Sequence, residues 1–166
     1  MKALVTYYSQ TGNTERLARA IYDAIDVEKE LIPFGEVNGF EGYDVIFCGF
    51  PVHAHGVPGK VQPFFKKLLP GQKVALFSTH GSLRGGLFPR QAFEHALSLA
   101  KGATVIGTFG SQGAVDTKLL DAIKKQQEHQ AWAEEAQSAE GHPDAADMED
   151  GRAFAVKMIR KVWESA

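Results

Sequence analysis

The sequence predicts an α/β fold, a five-stranded parallel sheet in order 2-1-3-4-5 with helices on both faces, three layers in all. Two observations carry that reading. Short apolar runs alternate along the chain with segments whose apolar residues recur at helical spacing. The runs also lack the polar alternation of a half-exposed strand, as expected when helices cover both faces of a parallel sheet. Right-handed crossovers then leave few ways to connect the pieces.

The elements follow in order. Lys2–Tyr8 (KALVTYY) reads as the first strand, and Leu17, Ala18, Ile21, Ala24 and Ile25 mark one face of the helix after it. Val27–Phe34 suits a strand nearer the sheet edge, ended by Pro33. Tyr43–Gly49 is a buried strand in which Cys48 is a small core residue. Val57–Leu69 is predicted as a helix with Pro58 at its first position. Lys73–Thr79 is the fourth strand, Phe88–Ala100 its helix, and Ala103–Phe109 the fifth strand.

Beyond that strand, residues 116–150 form an extra segment. It is predicted to hold one long polar helix over Asp116–Ser138, broken at Gly141-His142-Pro143. Asp144 and Asp147 have the spacing of a capping box for the last helix, whose stripe of Phe154, Ala155, Met158, Ile159 and Val162 faces the sheet. Trp132 and Trp163 read as packing residues, and Gly110–Gly113 as a turn close to the strand ends.

Length and composition bound the function. The 166 residues fit one domain, 1–166, large enough to bury a core without staples. A net charge of −2 argues against a nucleic-acid surface. One cysteine excludes an internal disulfide and suits a reducing compartment. No signal-peptide pattern follows Lys2 and no apolar run nears ~20 residues, so a soluble, cytoplasmic monomer without membrane contact is expected.

In such a sheet, ligands bind beyond the carboxyl ends of the strands, where the strand order reverses between the first and third. The first of those loops is Ser9-Gln10-Thr11-Gly12-Asn13-Thr14. It combines three hydroxyls with a glycine and leads into a helix whose first amides have no internal partners and whose dipole favours an anion. The turn holds no lysine, and the G-x-x-x-x-G-K-[ST] spacing is absent, which argues for a terminal phosphate rather than a magnesium triphosphate. An ordinary capped turn, with Thr11 or Asn13 as cap, is the competing explanation.

S-Q-T-G-N-T directly after a first strand resembles the phosphate loop of the flavodoxin family, which binds flavin mononucleotide (FMN). The strand and helix alternation agrees from Lys2 to about Phe109. The resemblance implies a flavodoxin-like three-layer sandwich, with Ser9, Gln10, Thr11, Gly12, Asn13 and Thr14 at the 5′-phosphate. It also implies that the loops after the third and fourth strands flank the isoalloxazine ring. The first of these supplies Pro51, Val52, His53, Ala54, His55 and Gly56, and the second Ser78, Thr79, His80, Gly81, Leu83, Gly85 and Gly86. Gly56 matches the family glycine whose carbonyl turns to accept a hydrogen bond from N5 of half-reduced flavin. Two departures stand out. His55 occupies a place often held by an aromatic, and the fourth-strand loop has no tyrosine or tryptophan, which leaves Leu83 or Phe88 to cover the ring. His53 and His55 lack a third ligand nearby in sequence, so no metal is expected.

The resemblance implies an electron carrier that exchanges single electrons with a donor reductase and an acceptor enzyme. The family is strongly acidic, whereas this chain places His53, His55, His80 and Arg84 in the ring loops. A unit charge at ~6 Å is worth about 2.8 kcal/mol at an effective dielectric of 20, so a less negative potential is expected if Arg84 lies that near. The alternative is a flavodoxin-like reductase of a quinone or another small oxidant, with His53, His55 or His80 as proton donor. A non-redox phosphate module of the response-regulator type would need acids clustered at the strand ends, and none follows Tyr8.

Overall fold

Side chains of a strand point alternately to its two faces, and in this chain both sets are apolar, so each strand has to be covered twice. The computed structural model, which describes residues 1–165, meets that demand with one parallel sheet. Its strands are β1 (Lys2–Tyr7), β2 (Glu28–Pro33), β3 (Val45–Pro51), β4 (Lys73–His80) and β5 (Thr104–Gln112), in spatial order β2-β1-β3-β4-β5. The predicted topology is borne out.

One face packs Ala3, Val5, Val45, Phe47, Ala75 and Phe77 under α1 (Asn13–Ala24) and α6 (Ala145–Glu164). The other packs Leu4, Ile46, Cys48, Phe50, Val74 and Leu76 under α2 (Gln62–Phe65) and α3 (Leu87–Leu99). Cys48 is fully buried, and burial pushes its thiol far above the ordinary value, so it stays protonated. Gly49 is required by space: a Cβ there would lie 2.1 Å from the Phe77 ring. The Phe154 stripe predicted for the last helix is buried, and Asp144 and Asp147 exchange both bonds of the capping box at 3.0 Å. No helix among the described residues is long and apolar enough to cross a membrane.

Four local expectations need correction. The helix expected over Val57–Leu69 shrinks to one turn, α2, because Pro63 rather than Pro58 opens it and Pro58 sits in the preceding loop. β5 runs on through Gly110 and Ser111 to Gln112, pairing with Ser78, Thr79 and His80, so that stretch is strand and not turn. The single polar helix over Asp116–Ser138 is two, α4 (Thr117–Lys124) and α5 (Gln130–Gln137), joined by a short 3-10 turn. Without a continuous apolar stripe, the segment folds back around small buried residues, Ala133, Ala136 and Ala139. Trp163 is 59% exposed rather than packed.

Candidate functional site

The turn between β1 and α1 is closed by its own side chain: the Gly12 N–H donates to Ser9 Oγ at 3.1 Å. Gly12 is the N-cap of α1 and adopts φ +92°, a left-handed conformation that costs glycine nothing and other residues roughly 1–2 kcal/mol. No side chain caps the helix, so neither Thr11 nor Asn13 acts as the cap a plain turn would need. The first amides of α1 are therefore left for an external acceptor, at the positive end of the helix dipole. Asn13 turns its amide elsewhere, donating to the Ala114 carbonyl at 2.9 Å. The Thr14 hydroxyl is buried against that of Thr79, 2.8 Å away, and so locks α1 to the end of β4.

After β3 the chain makes a two-residue turn. The His53 N–H donates to the Gly56 carbonyl at 3.0 Å and the Gly56 N–H to the His53 carbonyl at 2.8 Å. Ala54 and His55 between them have φ of +44° and +63°, conformations more usual for Asn and Gly. His55 stacks on Phe88 at 4.0 Å, and a Cβ on Gly56 would lie 2.6 Å from the His95 ring. The turn is thus held at both sides, with the Gly56 carbonyl facing inward across it.

The loop after β4 carries the least ordinary polar group. His80 is buried, and its Nδ1 lies 2.7 Å from the Ser82 carbonyl, which can only accept, so Nδ1 holds the proton. Nε2 has no partner among the described residues and is buried beside Gly110, where a Cβ would come within 2.8 Å of it. Burial holds this imidazole below its ordinary value. The Ser78 and Thr6 hydroxyls are likewise buried without partners.

Arg84 does not bring free charge to the site. It donates to Asp150 at 2.6 Å and to Asp147 at 3.0 Å, with its guanidinium 5.0 Å from the centre of the Phe109 ring. Burial alone would raise the Asp147 carboxyl, but the Asp144 amide, His142 and Arg84 outweigh it and hold it below its ordinary value. His142, Asp144 and Asp147 lie within metal-ligand reach of one another. Their oxygens already serve the capping box and Arg84.

A cavity of about 510 Å³ opens where these loops meet. Of the predicted residues, Gln10, Thr11, Asn13, Pro51, Val52, His53, Thr79, His80 and Gly81 line it. The structure brings three separated loops together at the strand-order reversal. Ser9, Gly12, Thr14, Ala54, His55, Gly56, Ser78, Leu83, Gly85 and Gly86 stand outside the lining, several as its scaffold. Leu83 is 54% exposed, and Phe88 is engaged with His55. Burial lowers the basicity of His53 at the cavity's edge. Sequence reasoning missed the lining that Leu119 and Trp132 supply from the extra segment, together with Val115 just before it. Two other concavities have similar volumes, one lined by Met1, Tyr43 and Trp163 and one by Phe34, Phe40 and Phe64. Neither is lined by any residue of the Ser9–Thr14 turn, so volume alone does not single out the site; donor chemistry does.

Comparison with known proteins agrees with this geometry. A family model described as Flavodoxin domain matches residues 4–156. The chain is 28% identical over 173 residues to the flavodoxin-like domain-containing protein BilS of Clostridioides difficile (strain CD3), covering 97% of this chain and 98% of that one. It is 35% identical over 116 residues to the flavodoxin of Megasphaera elsdenii, covering 63% and 81%. The fold is also that of a flavoprotein from Lactobacillus acidophilus NCFM solved in complex with FMN, at a TM-score of 0.54, 22% identity, and coverage of 66% and 92%.

Proposed function

The chain belongs to the Flavodoxin domain family, and on that premise we propose that it binds FMN and works as a single-electron carrier between redox proteins. One observation carries the reading: the uncapped N-terminus of α1, opened by Gly12 and placed beside the cavity at the strand-order reversal. The donors of the turn itself are neutral amides and hydroxyls, which suits a monoester phosphate. The residues fit the group on this ground, and the relative solved with FMN supports the same ligand.

When bound, FMN supplies the redox chemistry, which stays the cofactor's own. The protein's share is to hold and shield it. The α1 amides with Thr11 receive the phosphate, and the Thr14–Thr79 bond keeps that turn in register with β4. Pro51, Val52 and Gly81 present apolar and backbone surface to the remainder of the ligand. Because Arg84 is matched by two carboxylates, the positive field expected from it is cancelled locally.

The reductase reading has narrower support. Of its three candidate proton donors, His55 is stacked on Phe88 and the Nε2 of His80 is buried beside Gly110, which leaves His53. Stepwise anaerobic photoreduction of the FMN-loaded protein separates the two. A long-wavelength band that grows and then fades marks a stabilised one-electron state and the carrier. Conversion straight to the fully reduced form, with turnover of a quinone, would refute the carrier.

A further inference from the structure

We infer that Trp132, delivered by α5, is the aromatic that covers the ring of the bound flavin, a role that neither flanking loop fills in this chain. The inference rests on the FMN reading above. Trp132 shares the cavity with Thr11, His53 and Gly81, although about 50 residues or more separate it from each of them in sequence. Its indole is half-buried, with one part in the protein and one in the cavity. Such a placement suits an amphipathic ring that packs on one side and meets a ligand on the other.

The ring is held, not loosely draped. Its Nε1–H donates to Ser82 Oγ at 3.2 Å. One turn further along α5, Glu135 accepts the Leu83 N–H at 2.6 Å, so the helix is fastened to the β4 loop at two points. The indole packs close to Gly81, where a Cβ would stand 3.4 Å from it; the glycine itself is required by Val115, which that Cβ would meet at 2.5 Å. Leu83 and Phe88, the residues otherwise able to cover a ring, are not part of the cavity's lining, and Phe88 is stacked on His55. A planar heteroaromatic is the ligand class that such a wall selects, and contact between aromatic rings adds roughly tenfold in affinity beyond area burial.

The test uses the emission of the bound flavin, which contact with an indole quenches. FMN saturated with wild-type protein should be nearly dark. With Trp132→Leu it should regain emission and bind about tenfold more weakly, while Trp132→Phe, which keeps a ring, should retain most of the affinity. Trp163→Phe, near the C-terminal end of α6 and outside this cavity, should match wild type in both readings. Bright bound FMN in the wild type, or Trp132→Leu as dark and as tight as wild type, would overturn the inference while leaving FMN binding in place. Failure of the wild-type protein to shift the visible spectrum of added FMN would overturn the FMN reading itself and this one with it.

Discussion

Thr14 Oγ1 and Thr79 Oγ1 share a buried hydrogen bond of 2.8 Å that joins the first turn of α1 to the last turnless stretch of β4. It couples two of the regions that meet at the cavity, the N-terminus of α1 and the end of β4. Removing either hydroxyl strands the other in an apolar setting, which costs about 1–3 kcal/mol. Thr79→Val should therefore lower the Tm by several degrees, and the Thr14→Val/Thr79→Val pair should recover part of that loss. A double-mutant cycle by thermal unfolding checks this, and additive losses would contradict it.

Gly12→Ala probes the turn itself. Open space surrounds the position, so the effect is conformational: about 1–2 kcal/mol of left-handed strain. Relief of that strain would move the amides of α1. The expected outcome is a lower Tm together with weaker FMN binding, read by flavin absorbance.

Arg84→Ala should act on stability and not on redox behaviour. Its ion pairs and ring contact lie partly exposed, so the loss should be about 1 kcal/mol, or 2–4 °C in Tm for a chain of this length. The midpoint potential of bound FMN should stay where it is. A marked fall in potential would show that the guanidinium field reaches the flavin after all.

His80 predicts a pH dependence of defined sign. Its imidazole titrates below the ordinary 6.5 in the folded protein, so the unfolded chain binds a proton first as the pH drops. Stability is then fully present above about 6.5 and declines as the pH falls from there toward the folded value. His80→Asn, which keeps a donor for the Ser82 carbonyl, should flatten this slope in Tm measured between pH 7.5 and 5.

Much of this architecture could be read from residues alone, because burial on two faces writes itself into KALVTYY, YDVIFCG and KVALFST as continuous apolar runs. The unusual turn into α1 was equally open to reading, since Gly12 among hydroxyls directly before a helix marks it in the residues alone. Residues 116–143 were not legible. Small alanines bury α5 with no periodic stripe to announce it, and the contacts that fix it, Trp132 to Ser82 and Glu135 to Leu83, span about 50 residues. The pairing of Arg84 was not legible for a related reason: position in a ring loop says nothing about carboxylates that arrive from α6.

The central claim is that α1 receives a flavin's terminal phosphate. Parallel titrations of the cofactor-free protein with FMN and with riboflavin, which lacks only that phosphate, test it most directly. FMN is predicted to bind at least about tenfold more tightly, a difference of about 1.4 kcal/mol, with the gap narrowed by added inorganic phosphate. Equal affinity for the two, or no binding of either, would contradict the account.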